Sequence, residues 1–337
     1  MESNIKLELY EIIELKYGDP INSISLTLNE IIFGTMMGQI SYYNLNKKSL
    51  KIISELNDDF ISGTSFSNNL KEFYISIGDE KIIEFNKENF SYKIFNNYDN
   101  EEIHNNFCNY CFTLLDENKL LMLFLIENND EEPIQNYDCN YIFKTIINGN
   151  EEKKNGNINI SNYIVPFDFK NNNFIFLEFL TDNKRNLKIN NFQNNEIKIL
   201  EIDKFFGHIS FIKFLKDDLL LIVRNYNIIS IYDQFLICSS LYNHSCEINS
   251  IDFYYDNQQD LHIAFLDERG NITEGIFDKD SEKFIILFSS DLNSNNEINE
   301  ILRKKGLFNM EYPYHIKCNI KYITVTTDNS LVIFKKV

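Results

Sequence analysis

The stretch Gly207-His-Ile-Ser-Phe-Ile-Lys-Phe214 opens the segment of this chain that decides its fold. It is followed by the apolar run Leu219–Val223, by Asn225-Tyr-Asn227 and by a second run that closes at Tyr232-Asp233. These runs have the length of strands and are rich in β-branched and aromatic residues. Asn tolerates the positive φ that tight hairpin turns require. The segment therefore predicts consecutive antiparallel strands joined by short turns.

The same unit recurs along the chain. His244-Ser-Cys-Glu-Ile-Asn-Ser-Ile-Asp-Phe253 nearly repeats Gly18-Asp-Pro-Ile-Asn-Ser-Ile-Ser-Leu26, and Glu297-Ile-Asn-Glu-Ile-Leu302 is interpreted as a further opening strand. An aromatic or amide-rich pair closes the unit at spacings near the roughly 40–45 residues of a four-stranded propeller blade. The closing pairs are Tyr43-Asn44, Phe85-Asn86, Phe143-Lys144, Asn190-Asn191, Tyr232-Asp233, Phe277-Asp278 and Phe334-Lys335.

These repeats predict an all-β chain that folds as a single domain over residues 1–337, a seven-bladed β-propeller. A strand at 5–15 has no place in the first blade, so it is expected to complete the last blade and close the ring. Closure of this kind removes the exposed edges of an open sheet. The predicted blades cover 17–55, 56–96, 103–149, 157–201, 205–242, 244–290 and 294–337.

The repeats resemble those of the WD-repeat β-propeller family. The closest match begins at Gly207-His208 and ends its third strand at Tyr232-Asp233, although Trp is missing and Tyr and Phe stand where it would pack. The resemblance implies that His208 meets Asp217 or Asp218, and that His244 has a structural role. It also implies a rigid platform for protein partners. Kelch and other propellers remain alternatives, although the Gly-Gly pair of a kelch repeat is missing.

Composition indicates a globular and strongly acidic chain. Apolar residues make up 44% and aromatic residues 14%, while the formal net charge is −18. This charge argues against a nucleic-acid backbone or an anionic membrane as the main partner and leaves a basic protein partner open. The scarcity of Ala, Gly, Pro, Arg and Trp is typical of an AT-rich genome.

The sequence favours a cytoplasmic or nuclear location. Its start lacks the apolar core of a signal peptide, and its longest apolar stretch, Leu120–Ile126, is far shorter than the roughly 20 residues of a membrane span. The six cysteines are scattered, which fits a reducing compartment.

No catalytic residue, cofactor site or metal site is predicted. The sequence has no Gly-x-Ser-x-Gly elbow and no Gly-rich phosphate loop, and its acid pairs stand beside turns. His104, Cys108, Cys111 and Cys139 have the residue types of a zinc site, but residues three apart on a strand face opposite sides. We therefore interpret these cysteines as structural core thiols, and His244-x-Cys246 in the same way.

Two insertions break the repeat. An acidic segment at 127–137 is expected between the second and third strands of blade three, and a segment at 303–314 between the first and second strands of blade seven. The second places a basic run beside aromatic residues in an acidic protein, and these residue types are enriched at interface cores. It supplies the predicted partner-binding residues, which are Arg303, Lys304, Lys305, Tyr312 and Tyr314.

The function predicted from the sequence is a non-catalytic protein-interaction scaffold, a monomeric propeller within a larger hetero-assembly. The alternative is a propeller hydrolase or transferase with a site in the central channel. A cluster of perturbed carboxylates or histidines at one end of the channel would favour the enzyme. A large apolar patch on the rim or on one face would favour the scaffold.

Overall fold

The computed structural model describes most of the chain as antiparallel β-structure. The described residues are 5–15, 19–55, 60–67, 70–77, 81–96, 108–116, 119–127, 137–147, 150–158, 164–170, 173–181, 184–191, 197–202, 208–216, 219–233, 238–278, 283–291, 300, 315–327 and 330–337. Within these ranges lie 28 strands, which form four-stranded sheets.

The first three sheets follow one another along the chain. Sheet 1 holds β2 (Ile21–Leu26), β3 (Glu30–Thr35), β4 (Gln39–Asn44) and β5 (Ser49–Glu55). Sheet 2 holds β6 (Ile61–Phe66), β7 (Glu72–Ile77), β8 (Lys81–Asn86) and β9 (Tyr92–Asn96). Sheet 3 holds β10 (Cys108–Asp116), β11 (Lys119–Glu127), β12 (Tyr137–Ile147) and β13 (Asn150–Ile158).

The remaining sheets repeat this order, and the last one also takes in the N-terminal strand. Sheet 4 holds β14 (Ile164–Lys170), β15 (Asn173–Thr181), β16 (Lys184–Asn191) and β17 (Ile197–Ile202). Sheet 5 holds β18 (Ile209–Phe214), β19 (Leu220–Arg224), β20 (Ile228–Tyr232) and β21 (Cys238–Asn243). Sheet 6 holds β22 (Ile248–Tyr255), β23 (Leu261–Asp267), β24 (Asn271–Asp278) and β25 (Lys283–Asp291). Sheet 7 has the order β1 (Leu7–Glu14), β28 (Ser330–Lys336), β27 (Tyr322–Thr326) and β26 (Ile316–Cys318).

The fold is an all-β β-propeller, but the prediction of seven blades is wrong, since the structure shows six. Periodic closing pairs count strands and turns, and they carry no information on how each sheet packs.

The chain divides into two compact units, and the prediction of a single domain over residues 1–337 stays a prediction. Unit A comprises residues 1–60, 208–211 and 219–337, and unit B comprises 61–207 and 212–218. Unit A therefore contains sheets 1, 6 and 7, and unit B contains sheets 2, 3 and 4.

The N-terminal strand completes sheet 7, as the sequence predicts. β1 pairs antiparallel with β28, with Leu7 opposite Lys336 and Glu14 opposite Ser330. Its consecutive residues Ile12 and Ile13 are both buried, and they enter two different cores on the two sides of the sheet. This is the expected result of side chains that alternate between the faces of a strand.

Both faces of sheet 7 pack against neighbouring sheets. Val332 and Phe334 join residues of sheet 6, including Ala264 and Leu266, in one apolar core. The intervening residues Leu331 and Ile333 join Ile31, Phe33 and other residues of sheet 1 in a second core. Apolar residues therefore run continuously along β28, as in a strand that is buried on both faces.

The first strand predicted for the last blade, at 297–302, is wrong. The four positions of sheet 7 are filled by β26, β27, β28 and β1, and Glu300 is helical. The first strand of the sheet is β26 instead, and of the segment at 297–302 the structure describes Glu300 alone. The segment at 303–314 consequently precedes the first strand of its sheet and does not interrupt the sheet.

The predicted turns are confirmed where they are described. Asn225 and Tyr226, between β19 and β20, have φ values of 50° and 61°. Gly270, between β23 and β24, has a φ of 79°. Two consecutive residues with positive φ are typical of the two-residue hairpin turn whose twist matches the twist of its strands. The acidic insertion also lies between β11 and β12, the second and third strands of its sheet.

Candidate functional site

Acidic side chains on the first strands bridge neighbouring sheets. In unit B, Oδ1 of Asp168 on β14 lies 2.8 Å from Nζ of Lys213 on β18. Its Oδ2 accepts a hydrogen bond of 2.8 Å from the backbone N–H of Phe214. The carboxylate thus connects two sheets through a charge pair and a backbone contact.

The same bridge occurs in unit A. Oδ1 of Asp252 on β22 lies 3.3 Å from Nζ of Lys317 on β26, and Oδ2 accepts a hydrogen bond of 2.8 Å from the N–H of Cys318. Burial, followed by the charge of Asp252, raises the pKa of the Cys318 thiol well above its usual value. The thiol therefore stays protonated and inert, because the thiolate is the nucleophilic form.

A buried polar cluster surrounds Glu274 between sheets 6 and 7. Oε1 of Glu274 accepts a hydrogen bond of 2.7 Å from the Tyr254 hydroxyl and lies 3.2 Å from Nδ1 of His262. Oε2 lies 2.6 Å from Nζ of Lys336. Nζ of Lys336 also donates to the Tyr254 hydroxyl at 3.1 Å and lies 4.3 Å from the centre of its ring. The rings of Tyr254 and His262 stack at 4.6 Å.

The cluster fixes the protonation of its two central groups. Burial opposes ionisation of Glu274, but the hydrogen bond of His262 and the charge of Lys336 outweigh it and lower the pKa of the carboxyl. Burial, and then the charge of Glu274, raises the pKa of Tyr254. At neutral pH the pair is therefore a carboxylate that accepts a hydrogen bond from a neutral phenol.

The cluster is built as an internal anchor. Glu274 is 0% exposed, and both of its oxygens already face partners within the cluster. Lys336 lies near the end of β28, so its ion pair with Glu274 on β24 fastens sheet 7 to sheet 6. Nε2 of His262 lies 3.5 Å from Oδ2 of Asp256, which closes the outer side of the cluster.

His244, Cys246 and Asp267 bring their potential ligand atoms within 4.8 Å of one another. Nε2 of His244 lies 3.1 Å from Oδ2 of Asp267. The same carboxylate accepts hydrogen bonds from the backbone N–H groups of Arg269 and Asn271 and from the Asn271 side chain. Its lone pairs are thus occupied by the turn it stabilises. The contacts form a clasp between the segment before β22 and the β23–β24 turn, and the structural role of His244 stays a prediction.

His208 lies directly before β18 in sheet 5 and has other contacts than His244. Its backbone N–H donates to Oδ1 of Asn225 at 3.1 Å, and its ring stacks on Tyr226 at 4.8 Å. Asp217 and Asp218, the partners expected from the sequence, lie outside the described residues. Asn225 thus binds the backbone of His208, whereas Asp267 contacts the ring of His244.

The predicted partner-binding residues Arg303, Lys304, Lys305, Tyr312 and Tyr314 lie outside the described residues. The same holds for His104 and for the side chains of Cys108, Cys111 and Cys139, although the three cysteines are placed on β10 and β12. The partner contact and the structural role of these thiols stay predictions.

The outermost strands carry exposed apolar side chains that the sequence reasoning missed. On β5, β9 and β17 they stand two residues apart and so share one face of the strand. We call these residues the apolar rim of each unit: in unit A they are Leu50, Ile52, Leu241, Ile285 and Ile286, and in unit B they are Tyr92, Ile94, Ile197 and Ile199. A signal was present, because Leu50-Lys51-Ile52, Tyr92-Lys93-Ile94 and Ile197-Lys198-Ile199 repeat one apolar–Lys–apolar pattern.

Among the described residues, no helix has the length and apolar character that crossing a membrane requires.

Comparison with known proteins finds likeness in structure only. No protein-family model matches the sequence, and no curated protein matches it. A chain in the crystal structure of the mitotic checkpoint complex superposes with a TM-score of 0.65 and 7% identity, over 98% of this chain and 93% of that one. The computationally designed Ika8 protein superposes with a TM-score of 0.57 and 8% identity, over 96% of this chain and 98% of that one. At such identities the likeness shows the β-propeller fold alone.

Proposed function

We propose that this chain is a non-catalytic scaffold of the WD-repeat type, a single propeller that binds other proteins within a larger assembly. The observation that supports this proposal most strongly is the apolar rim. Soluble monomers rarely keep repeated apolar stripes in water, and extended apolar surface marks sites of protein contact. Among the described residues, each rim strand is the last strand of its sheet, a position at which a further strand can be added by a partner.

The likeness to a chain of the mitotic checkpoint complex supports a role within an assembly, since that chain comes from a multi-protein complex. The His244–Asp267 clasp supports the WD-repeat type, because His244 stands where the resemblance to that family puts its structural His. The net charge of −18 and the scattered cysteines fit a protein partner in the cytoplasm or nucleus.

A propeller enzyme is the competing function, and the Glu274 cluster is the observation that would favour it. Perturbed titratable groups mark catalytic sites when they face a cleft. Glu274 and Lys336 instead face each other, and both are buried. The cluster therefore supports a structural role, which leaves the scaffold as the better account.

Affinity purification with rim variants tests the proposed function. The tagged chain is purified from its source cell beside a rim variant that carries Leu50→Ser, Ile52→Ser, Ile197→Ser and Ile199→Ser. We expect the parent to retain partner proteins in fixed ratio, and the rim variant to lose at least one of them, because Ser removes apolar contact area at the interface.

The matched control carries Met36→Ser and Met37→Ser, which change exposed apolar residues in the β3–β4 turn, away from the rim. It should keep the full set of partners. A parent that retains no protein above background would refute the scaffold. A rim variant with an unchanged partner set would remove the rim from the account.

A further inference from the structure

One end of sheets 1 and 7 forms a single surface in unit A. The Asn319 side chain, in the β26–β27 turn, donates a hydrogen bond of 2.7 Å to the carbonyl oxygen of Thr27 in the β2–β3 turn. Its Oδ1 accepts the backbone N–H groups of Lys321 and Tyr322, at 2.7 and 2.8 Å. One buried amide therefore holds the two turns side by side.

Strand ends from the same two sheets adjoin these turns. The backbone of Lys6 exchanges two hydrogen bonds of 3.0 Å with that of Val337, and the N–H of Lys336 donates to the carbonyl of Lys321 at 2.9 Å. Lys335 stands opposite Tyr322 in the β27–β28 pair. Lys6, Lys321 and Lys335 are consequently neighbours at this end of sheet 7.

The β4–β5 turn extends the surface into sheet 1. The rings of Tyr10 and Tyr322 lie 5.2 Å apart, and Nζ of Lys48 lies 4.2 Å from the centre of the Tyr10 ring. The Tyr10 hydroxyl also donates to the carbonyl of Leu45, at the start of the turn. Lys47 and Lys48 are thereby brought beside the end of sheet 7.

The surface that these turns and strand ends form is basic, although the chain as a whole has a net charge of −18. We call it the lysine face; its exposed cations are Lys6, Lys47, Lys48, Lys321 and Lys335. Lys48 pairs with Glu11 at 3.8 Å, whereas the other four have no ion pair within the described part of the chain. The described acids beside these residues are Glu11, which pairs with Lys48, Glu8, opposite Lys335, and Glu30, whose backbone oxygen accepts from the Thr27 N–H. Among these described side chains five lysines stand against three carboxylates, so positive charge exceeds negative charge.

Two aliphatic side chains project from the joined turns of the lysine face. Leu28 is 48% exposed and Ile320 is 37% exposed. Both are next to residues fixed by the Asn319 contacts, so little backbone order would be lost when they are covered. The surface thus combines two preorganised apolar contacts with surrounding positive charge.

We propose that the lysine face docks an acidic segment of a partner protein in which Asp or Glu alternates with apolar residues. The inference rests on the proposed scaffold function and names one of its surfaces. The lysine face would attract the acidic groups of such a segment, while the acidic remainder of the chain repels them. This difference selects both the partner and its orientation. The aliphatic contacts favour a protein over a nucleic acid, whose recognition uses Arg and Lys on phosphates and stacking on bases. The overall negative charge disfavours an anionic membrane.

Selection from a random-peptide display library on the immobilised full chain tests the docking surface. Recovered peptides are synthesised and their binding is measured by fluorescence anisotropy. We expect sequences rich in Asp and Glu with interspersed Leu, Ile or Phe. A variant with Lys6→Ser, Lys47→Ser, Lys321→Ser and Lys335→Ser should bind them at least about tenfold more weakly, and raised salt should weaken binding to the parent.

The matched control removes the same charge elsewhere, with Lys71→Ser, Lys93→Ser, Lys216→Ser and Lys283→Ser, all exposed positions. This control should bind the peptides with an affinity within about twofold of the parent's. The double variant Leu28→Ser with Ile320→Ser should bind the peptides more weakly, with the same salt dependence as the parent. The docking surface is refuted if the recovered peptides are not acidic or bind both lysine variants equally. It is also refuted if only phosphatidylserine vesicles or single-stranded DNA respond to the lysine changes. The scaffold survives such a failure if partners still co-purify with the parent chain.

Discussion

Individual acidic residues connect the strands and turns of this propeller. They pair with polar groups that apolar packing alone would leave without partners. Asp168 and Asp252 bridge the first strands of neighbouring sheets, Asp267 closes a turn, and Glu274 fastens sheet 7 to sheet 6. A buried carboxylate is tolerated only when its partners replace water. Each of these groups has at least two such partners, so each is a structural contact that cannot be altered on one side alone.

A pH dependence of stability follows from His315. Burial, followed by the charge of Lys317, lowers the pKa of this histidine from 6.5 to about 4. Between about pH 6.5 and pH 4 the histidine is therefore protonated in the unfolded chain and neutral in the folded chain. The free energy of unfolding falls as the pH drops through this range, by up to about 1.4 kcal/mol per pH unit. Urea unfolding at several pH values should show this slope in the parent, and His315→Gln should flatten it. Equal slopes in the two proteins would contradict the assignment.

At the scale of elements, local pattern predicted most strands and turns and failed where the decisive contacts are long-range. The hairpin turn at Asn225-Tyr226 was predictable because its residue types tolerate positive φ. The strand predicted at 297–302 for sheet 7 was wrong because that place is taken by β26, whose three residues are too few to show a period in the sequence. The lysine face was not predictable, since Asn319 and Thr27 meet only after sheets 1 and 7 pack.

Removal of the N-terminal strand should open sheet 7. Deleting residues 1–14 takes away Ile12 and Ile13, which are buried in two cores, and leaves the edge of β28 unpaired. We expect aggregation, or a lowered melting temperature, in size-exclusion chromatography and thermal denaturation. Deletion of residues 1–4 is the control and should melt like the parent. If the longer deletion also stays soluble with an unchanged melting temperature, β1 does not contribute to the stability of the sheet.

At the scale of the whole molecule, the sequence predicted the propeller class correctly and the number of blades wrongly, and its partner-binding segment at 303–314 stays a prediction. Regular closing pairs reveal a repeat, because each blade needs a turn and an aromatic contact at the same place. How many sheets pack as blades depends on contacts between sheets, which a spacing does not contain. The apolar rim and the lysine face likewise depend on which side of each strand remains in water.

The mass of the native particle tests the central claim, that this chain is a subunit of a multi-protein assembly, most directly. The tagged chain should be isolated under mild conditions from its source cell and measured by native mass spectrometry at low and moderate salt. The scaffold account predicts a particle several times heavier than one chain, with one copy of this propeller and fixed numbers of other proteins. A particle with the mass of a single chain under both salt conditions would contradict it.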